Sequence, residues 1–219
     1  MKSINNLIFG ILALVFLSSC SSSNLLDYST TCLCKVTENF SASTDEEDNS
    51  TKEFIFTNSP LFKLGVLKYD FALNMAILIN QDIKIDSLTT LKITVDKGNS
   101  NIKSYKFYSS ELKNMTPKHT EIHNIISSFV ENTYTGDFHK CKENLGFDIE
   151  DEKLNSIMTK IKKGLNHEYV QTKMISFKKT RENIYHIYGG ILTSDETLDL
   201  FKMQFKEIDN RLQIVEFSF

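Results

Sequence analysis

In EYVQTKMISFKKTRENIYHIYGGILTSDETLDLFKMQFKEIDNRLQIVEFSF, residues 168–219, four apolar-rich runs follow one another: Glu168–Phe177, Asn183–Leu192, Thr197–Glu207 and Arg211–Phe219. Each has the length and composition of a strand, and the separators Lys178–Glu182, Thr193–Glu196 and Asp209–Asn210 carry turn chemistry. Links this short join neighbours, so an antiparallel meander is expected. Tyr185, Ile187 and Gly189 alternate with His186, Tyr188 and Gly190; Leu198, Leu200, Lys202, Gln204 and Lys206 oppose Phe201, Met203 and Phe205. The last run places Leu212, Ile214 and Glu216 opposite Val215, Phe217 and Phe219. The period of two is imperfect, which predicts a strongly curved sheet wrapped on a helix.

Upstream of the strands the period changes. Ile122, Ile125, Ile126, Phe129 and Val130 form the apolar stripe of a helix ending near Tyr134, with Gly136 placed to stop it. Asp137 can open a short helix over Phe138–Leu145, and Asp148 or Glu150 a third with Leu154, Ile157, Met158, Ile161 and Leu165 on one side. Lys160, Lys162 and Lys163 gather in its last turns, where the helix dipole favours cations.

Three helices and then a curved four-stranded sheet, with Tyr134-Thr135-Gly136-Asp137-Phe138 between the first two helices, resemble the small cone-shaped domains related to nuclear transport factor 2. The resemblance covers residues 117–219. It implies a cone whose pocket serves ligand binding, dimerisation or catalysis, and it leaves the choice among them open. In enzymes of that family an Asp/His or Tyr/Asp pair works inside the pocket, and His186, Tyr185, Tyr188, Asp137 and Tyr134 are the residues placed to take such roles here.

Before Pro117 the elements are mixed. Lys35–Phe40 and Glu53–Thr57 are expected strands, separated by a polar stretch with the acidic run Asp45-Glu46-Glu47-Asp48, which lacks the alternating ligands and the glycine of a calcium loop. Leu64, Leu67, Phe71, Met75, Leu78 and Ile79 recur at helical spacing and predict a well-buried helix. Leu88–Val95 and Ile102–Tyr108 then form a hairpin through Lys97-Gly98-Asn99-Ser100, and Thr116-Pro117 is expected to punctuate the chain. The fold class is therefore α+β: a C-terminal cone over 117–219 and a smaller α+β segment over 31–116.

The first 19 residues have the organisation of a secretory signal: Lys2, an apolar core from Leu7 to Leu17, then Ser18 and Ser19. As a helix the eleven-residue core would reach about 16 Å, half of a bilayer's hydrocarbon thickness, too little for a stable span. Leu17-Ser18-Ser19-Cys20 resembles the lipobox of bacterial lipoproteins. That resemblance implies cleavage before Cys20, acylation of its thiol, and attachment to the cell envelope by two or more acyl chains, which is effectively permanent. Ser21 rather than Asp follows the cysteine, which by the same resemblance favours the outer membrane. Residues 20–30 are expected to be a tether between lipid and folded body.

Cleavage removes only Lys2 among charged residues, so 25 Lys and Arg become 24 against 28 Asp and Glu, a net charge of −4. That excludes a strongly basic nucleic-acid binder. Beyond Cys20 three cysteines remain, an odd number for an exported protein. With Cys32-Leu33-Cys34 in a strand, the pair would face opposite sides, so either one of them bonds Cys141 or all three stay reduced.

His119-Thr120-Glu121-Ile122-His123 puts two imidazoles four apart on a helix. Glu121 stands one place too late for a zinc protease, and no third ligand is identifiable, so both histidines are expected on the surface and no metal site is assigned. No phosphate loop, nucleophile elbow or cofactor motif occurs, and no cofactor is expected. The function expected is that of an envelope lipoprotein binding a protein or a small apolar ligand without turnover. The alternatives are a periplasmic protein that neutralises a toxin, or a minor enzyme, which a deep polar pocket with paired titratable groups would favour.

Overall fold

Two four-stranded sheets share one helix. The computed structural model describes residues 23–41, 50–96, 102–165 and 167–219; the expected signal peptide, Cys20, the acidic run 45–48 and the turn at 97–100 lie outside the described residues. The order is α1 (Ser23–Cys32), β1 (Lys35–Ser41), β2 (Thr51–Thr57), a 3-10 turn (Pro60–Leu64), α2 (Lys68–Ile83), β3 (Thr90–Asp96), β4 (Ile102–Tyr108), α3 (Ser109–Thr135), α4 (Phe138–Lys142), α5 (Asp151–Gly164), β5 (Tyr169–Lys179), β6 (Ile184–Thr193), β7 (Leu198–Ile208) and β8 (Arg211–Ser218). The first sheet runs β1-β2-β3-β4, antiparallel except for the parallel β2–β3 pair that α2 connects. The second is the expected meander, β5-β6-β7-β8, antiparallel throughout. The class is α+β, and residues from α3 onward follow the expected order of three helices and then four strands.

Several expectations are corrected. Helix α2 begins at Lys68, because Gly65 at φ +94° ends the 3-10 turn that Ser59 caps and Pro60 opens; Leu64 and Leu67 therefore stay outside it and exposed. Phe71 to Ile77, Ile79 and Asn80 are buried around the whole circumference of α2, which packs against β3 and β4 on one side and β5 on the other. Pro117 does not punctuate the chain. Helix α3 runs straight through it, with Leu112 before and His119 and Ile122 after it on one buried stripe. Pro117 and Lys113, whose carbonyl loses its helical donor, are both exposed, so water can serve that carbonyl. A single buried cluster extends from Tyr28 to Ile214, so the two halves share one core.

Ser23 to Thr30, expected as a tether, belong to helix α1. It is fastened by Tyr28, whose hydroxyl donates to Asp82 at 2.5 Å, and by the ion pair of Asp27 with the buried Lys173. Burial first, and then that bond to a carboxylate, holds the Tyr28 phenol well above its ordinary range.

The cysteine pairing is also corrected. Cys32 ends α1 rather than sitting in a strand, and Leu33 at φ +50° turns the chain so that Cys32 and Cys34, with Cα atoms 5.1 Å apart, form a disulfide. Cys141 is free and buried, donating to the Phe129 carbonyl at 3.6 Å. Proteolysis under non-reducing conditions should recover one peptide with Cys32 and Cys34 bonded to each other, and Cys141 should alkylate only after unfolding. A peptide joining Cys141 to either partner would contradict this arrangement.

Candidate functional site

The side of the second sheet that the helices cover is filled. Phe129 of α3 lies 5.2 Å from Phe217 of β8, and Ile187, Phe201, Met203 and Phe205 are buried beside them. At Gly189 a β-carbon would stand 2.1 Å from the Phe201 ring, so this position is small because an aromatic occupies the space.

The opposite side of the sheet is polar, and two rows of cross-strand partners run over all four strands. One is Lys178, His186, Gln204 and Glu216; the other is Ser176, Tyr188, Lys202 and Ser218. β-Bulges make these rows. Ile175 is the extra residue between Met174 and Ser176 in β5, and Val215 between Ile214 and Glu216 in β8. Each bulge reverses the alternation, so Phe217 joins Leu212 and Ile214 on the filled side while Glu216 turns to the polar one. The faces expected for the last strand are corrected accordingly.

Gly65, Leu67 and Asp70 overhang these rows and close a trough of about 240 Å³. The Tyr188 hydroxyl donates to the Leu64 carbonyl at 3.2 Å and fixes the overhang, and the Lys202 ammonium stands 4.7 Å over the Tyr188 ring. Glu216 accepts from the Gln204 amide. Burial raises the Asp70 carboxyl above its ordinary range, opposed by the charges of Lys178 and His186. Neither Lys178 nor Lys202 has a carboxylate within ion-pair distance among the described residues. The trough presents two unpaired ammonium groups, an imidazole and hydroxyls. Among the described residues no hydroxyl in it is bonded to His186 or Asp70, the arrangement that activation of a nucleophile requires.

Of the residues named for a pocket role, the structure brings only His186 and Tyr188 together. Tyr185 is buried on the filled side, its ring 5.8 Å from Phe177. Tyr134 stacks on Tyr169 at 5.3 Å with a buried, unpartnered hydroxyl, and burial raises its phenol. Asp137 sits at the α3–α4 joint, lowered by the hydrogen bond from Lys140 at 2.8 Å. Asp70, Lys178, Lys202, Gln204 and Glu216 were missed. The placement of Lys202 and Gln204 opposite Phe201, Met203 and Phe205 is the one usable signal.

The histidines are corrected as well. His119 is 2% exposed, not superficial. The Asn74 amide donates to the Met174 carbonyl at the β5 bulge, 2.8 Å, leaving its oxygen to accept from His119 Nε2 at 2.9 Å. His119 is therefore the neutral Nε2–H tautomer. Burial first, and the neighbouring His123 second, lower its pKa to about 4. His123 is half-buried and also lowered, chiefly by burial. Among the described residues no group of three or more His, Cys, Asp or Glu is placed to hold a metal ion, and no helix is long and apolar enough to cross a membrane.

The described molecule is thus an α+β protein with a filled helix-to-sheet core and a roofed polar trough on the outer sheet face. No family model and no curated protein matches the chain. A solved structure, that of a Campylobacter jejuni protein described as a candidate NTF2-like transpeptidase, is similar at a TM-score of 0.37 with 10% identity, over 42% of this chain and 95% of that one. A likeness of this size carries no inference about activity.

Proposed function

We propose that this is an envelope lipoprotein, held on a membrane through Cys20, that binds a ligand in the roofed trough without turning it over. The trough carries the binding reading: it combines a defined volume, a fixed overhang and unpaired polar groups, and among the described residues it holds no assembled base and nucleophile. The titratable groups that would favour an enzyme are present, but among the described residues they are not joined in a proton-transfer chain. The anchor reading is supported by Leu17-Ser18-Ser19-Cys20.

Two experiments test the two parts. Metabolic labelling with a fatty acid should tag the wild type and not Cys20→Ala; equal labelling of both removes the anchor. For the trough, Gln204→Trp places a bulky ring on its floor. Native mass spectrometry of protein purified from its own cells should show a small molecule on the wild type that Gln204→Trp lacks, and the same adduct on both would place binding elsewhere.

A further inference from the structure

The trough has a definite chemical preference, and this inference rests on the binding reading above. Its two carboxylates are already accounted for. Glu216 is engaged by the Gln204 amide, and Asp70, half-buried under the overhang, faces Lys178 and His186. The ammonium groups match them in number but not in engagement: Lys178 and Lys202, at the first and third positions of adjoining rows, have no carboxylate within ion-pair distance among the described residues, and His186 lies between their strands. Lys202 is held over the Tyr188 ring, an arrangement that leaves its ammonium protons free for an acceptor. The outer lip of the overhang is apolar. Leu64 and Leu67 are 54% and 58% exposed beside the opening and put apolar surface at its mouth.

We propose that the trough takes a small organic anion with an apolar tail, its carboxylate seated between Lys178 and Lys202 and its tail lying under Leu67 toward Leu64. Adjacent strands are about 4.8 Å apart, so ammonium groups extending from β5 and β7, two strands apart, can converge on one carboxylate from either side. A cationic amphiphile would meet two like charges. A neutral one would leave both ammoniums unpaired under a desolvating tail, which is unfavourable.

Isothermal titration of the chain from Ser21 onward, made without signal peptide and lipid-bearing cysteine so that no detergent enters the assay, distinguishes these cases with sodium octanoate, octanol and octylammonium chloride. Octanoate should bind and the other two should not. Lys178→Met and Lys202→Met should each weaken octanoate by about tenfold, the loss of one charge-assisted contact. Leu67→Ser should weaken it as well, and Lys113→Met, exposed on α3 outside the trough, should not. Thermal melts confirm that each variant folds, with Lys202→Gln replacing Lys202→Met if that variant does not. Octylammonium binding lost in Glu216→Gln would overturn the anion preference while leaving a binding trough in place. Octanoate binding indifferent to both lysine variants, or no octanoate binding at all, would overturn the inference; the fate of the trough itself is decided separately by the adduct on Gln204→Trp.

Discussion

Phe129→Ala should lower the stability of the protein by about 3 to 5 kcal/mol, the usual cost of removing a fully buried aromatic ring. Phe129 has no exposed surface, sits on the α3 stripe with Ile122 and Ile126, and meets Phe217 of β8 edge to face. Its loss leaves a cavity between rigid elements, because α3 is fixed at its far end by Gly136 at φ +86° and at its near end by the capping of Tyr108 by Glu111. Urea denaturation of the full chain measures it. A cost below about 1 kcal/mol would mean that α3 does not press this stripe on the sheet.

Acidification should destabilise the protein through His119, by about 3 kcal/mol between pH 6.5 and pH 4. The sign follows from the direction of the shift. The folded pKa, about 4, lies below the unfolded value of 6.5, so the unfolded chain binds the proton first. The stability is fully present above pH 6.5, falls as the pH drops through this window, and levels off below pH 4. His123, also lowered, adds in the same direction. His119→Gln retains an N–H donor for Asn74 but cannot titrate, so its stability should lack that share of the pH slope. Parallel curves for wild type and variant would show that the imidazole is not held neutral in the core.

Much of the architecture was legible because its periods are local. The four C-terminal strands and the hairpin strands around residue 99 declare themselves by composition and turn residues, and the stripe Ile122, Ile126, Phe129 by its spacing of three to four. What failed was non-local. Pro117 is an element boundary by local rule, but the buried stripe on both sides of it makes continuation of the helix the better packed choice. The Cys32–Cys34 bond depends on Leu33 adopting a left-handed backbone, which no side-chain pattern announces. His119 is buried because a bulge in β5, 55 positions later, exposes a carbonyl that Asn74 and then His119 complete.

The candidate site was the least legible part, for a related reason. His186 and Tyr188 stand on alternate-residue spacing and were picked out, but Lys178 looked like part of a turn and Glu216 like part of the apolar face. Both assignments assume uninterrupted alternation. The single-residue bulges at Ile175 and Val215 reverse it at the two edge strands, and only with both in place do the rows join into one polar surface.

Helix α2, buried around its full circumference by both sheets, also sets the order in which the chain can finish folding. Asn74 and its acceptor Met174 are 100 positions apart. A chain emerging N-terminus first completes the first sheet and one flank of α2 long before β5 exists to cover the other. Such long-range closure is slow, and it leaves an uncovered hydrophobic rod available to the wrong partners meanwhile. Escort by a holding chaperone should matter most for this interval, and a chain truncated before residue 169 should aggregate rather than form a stable half.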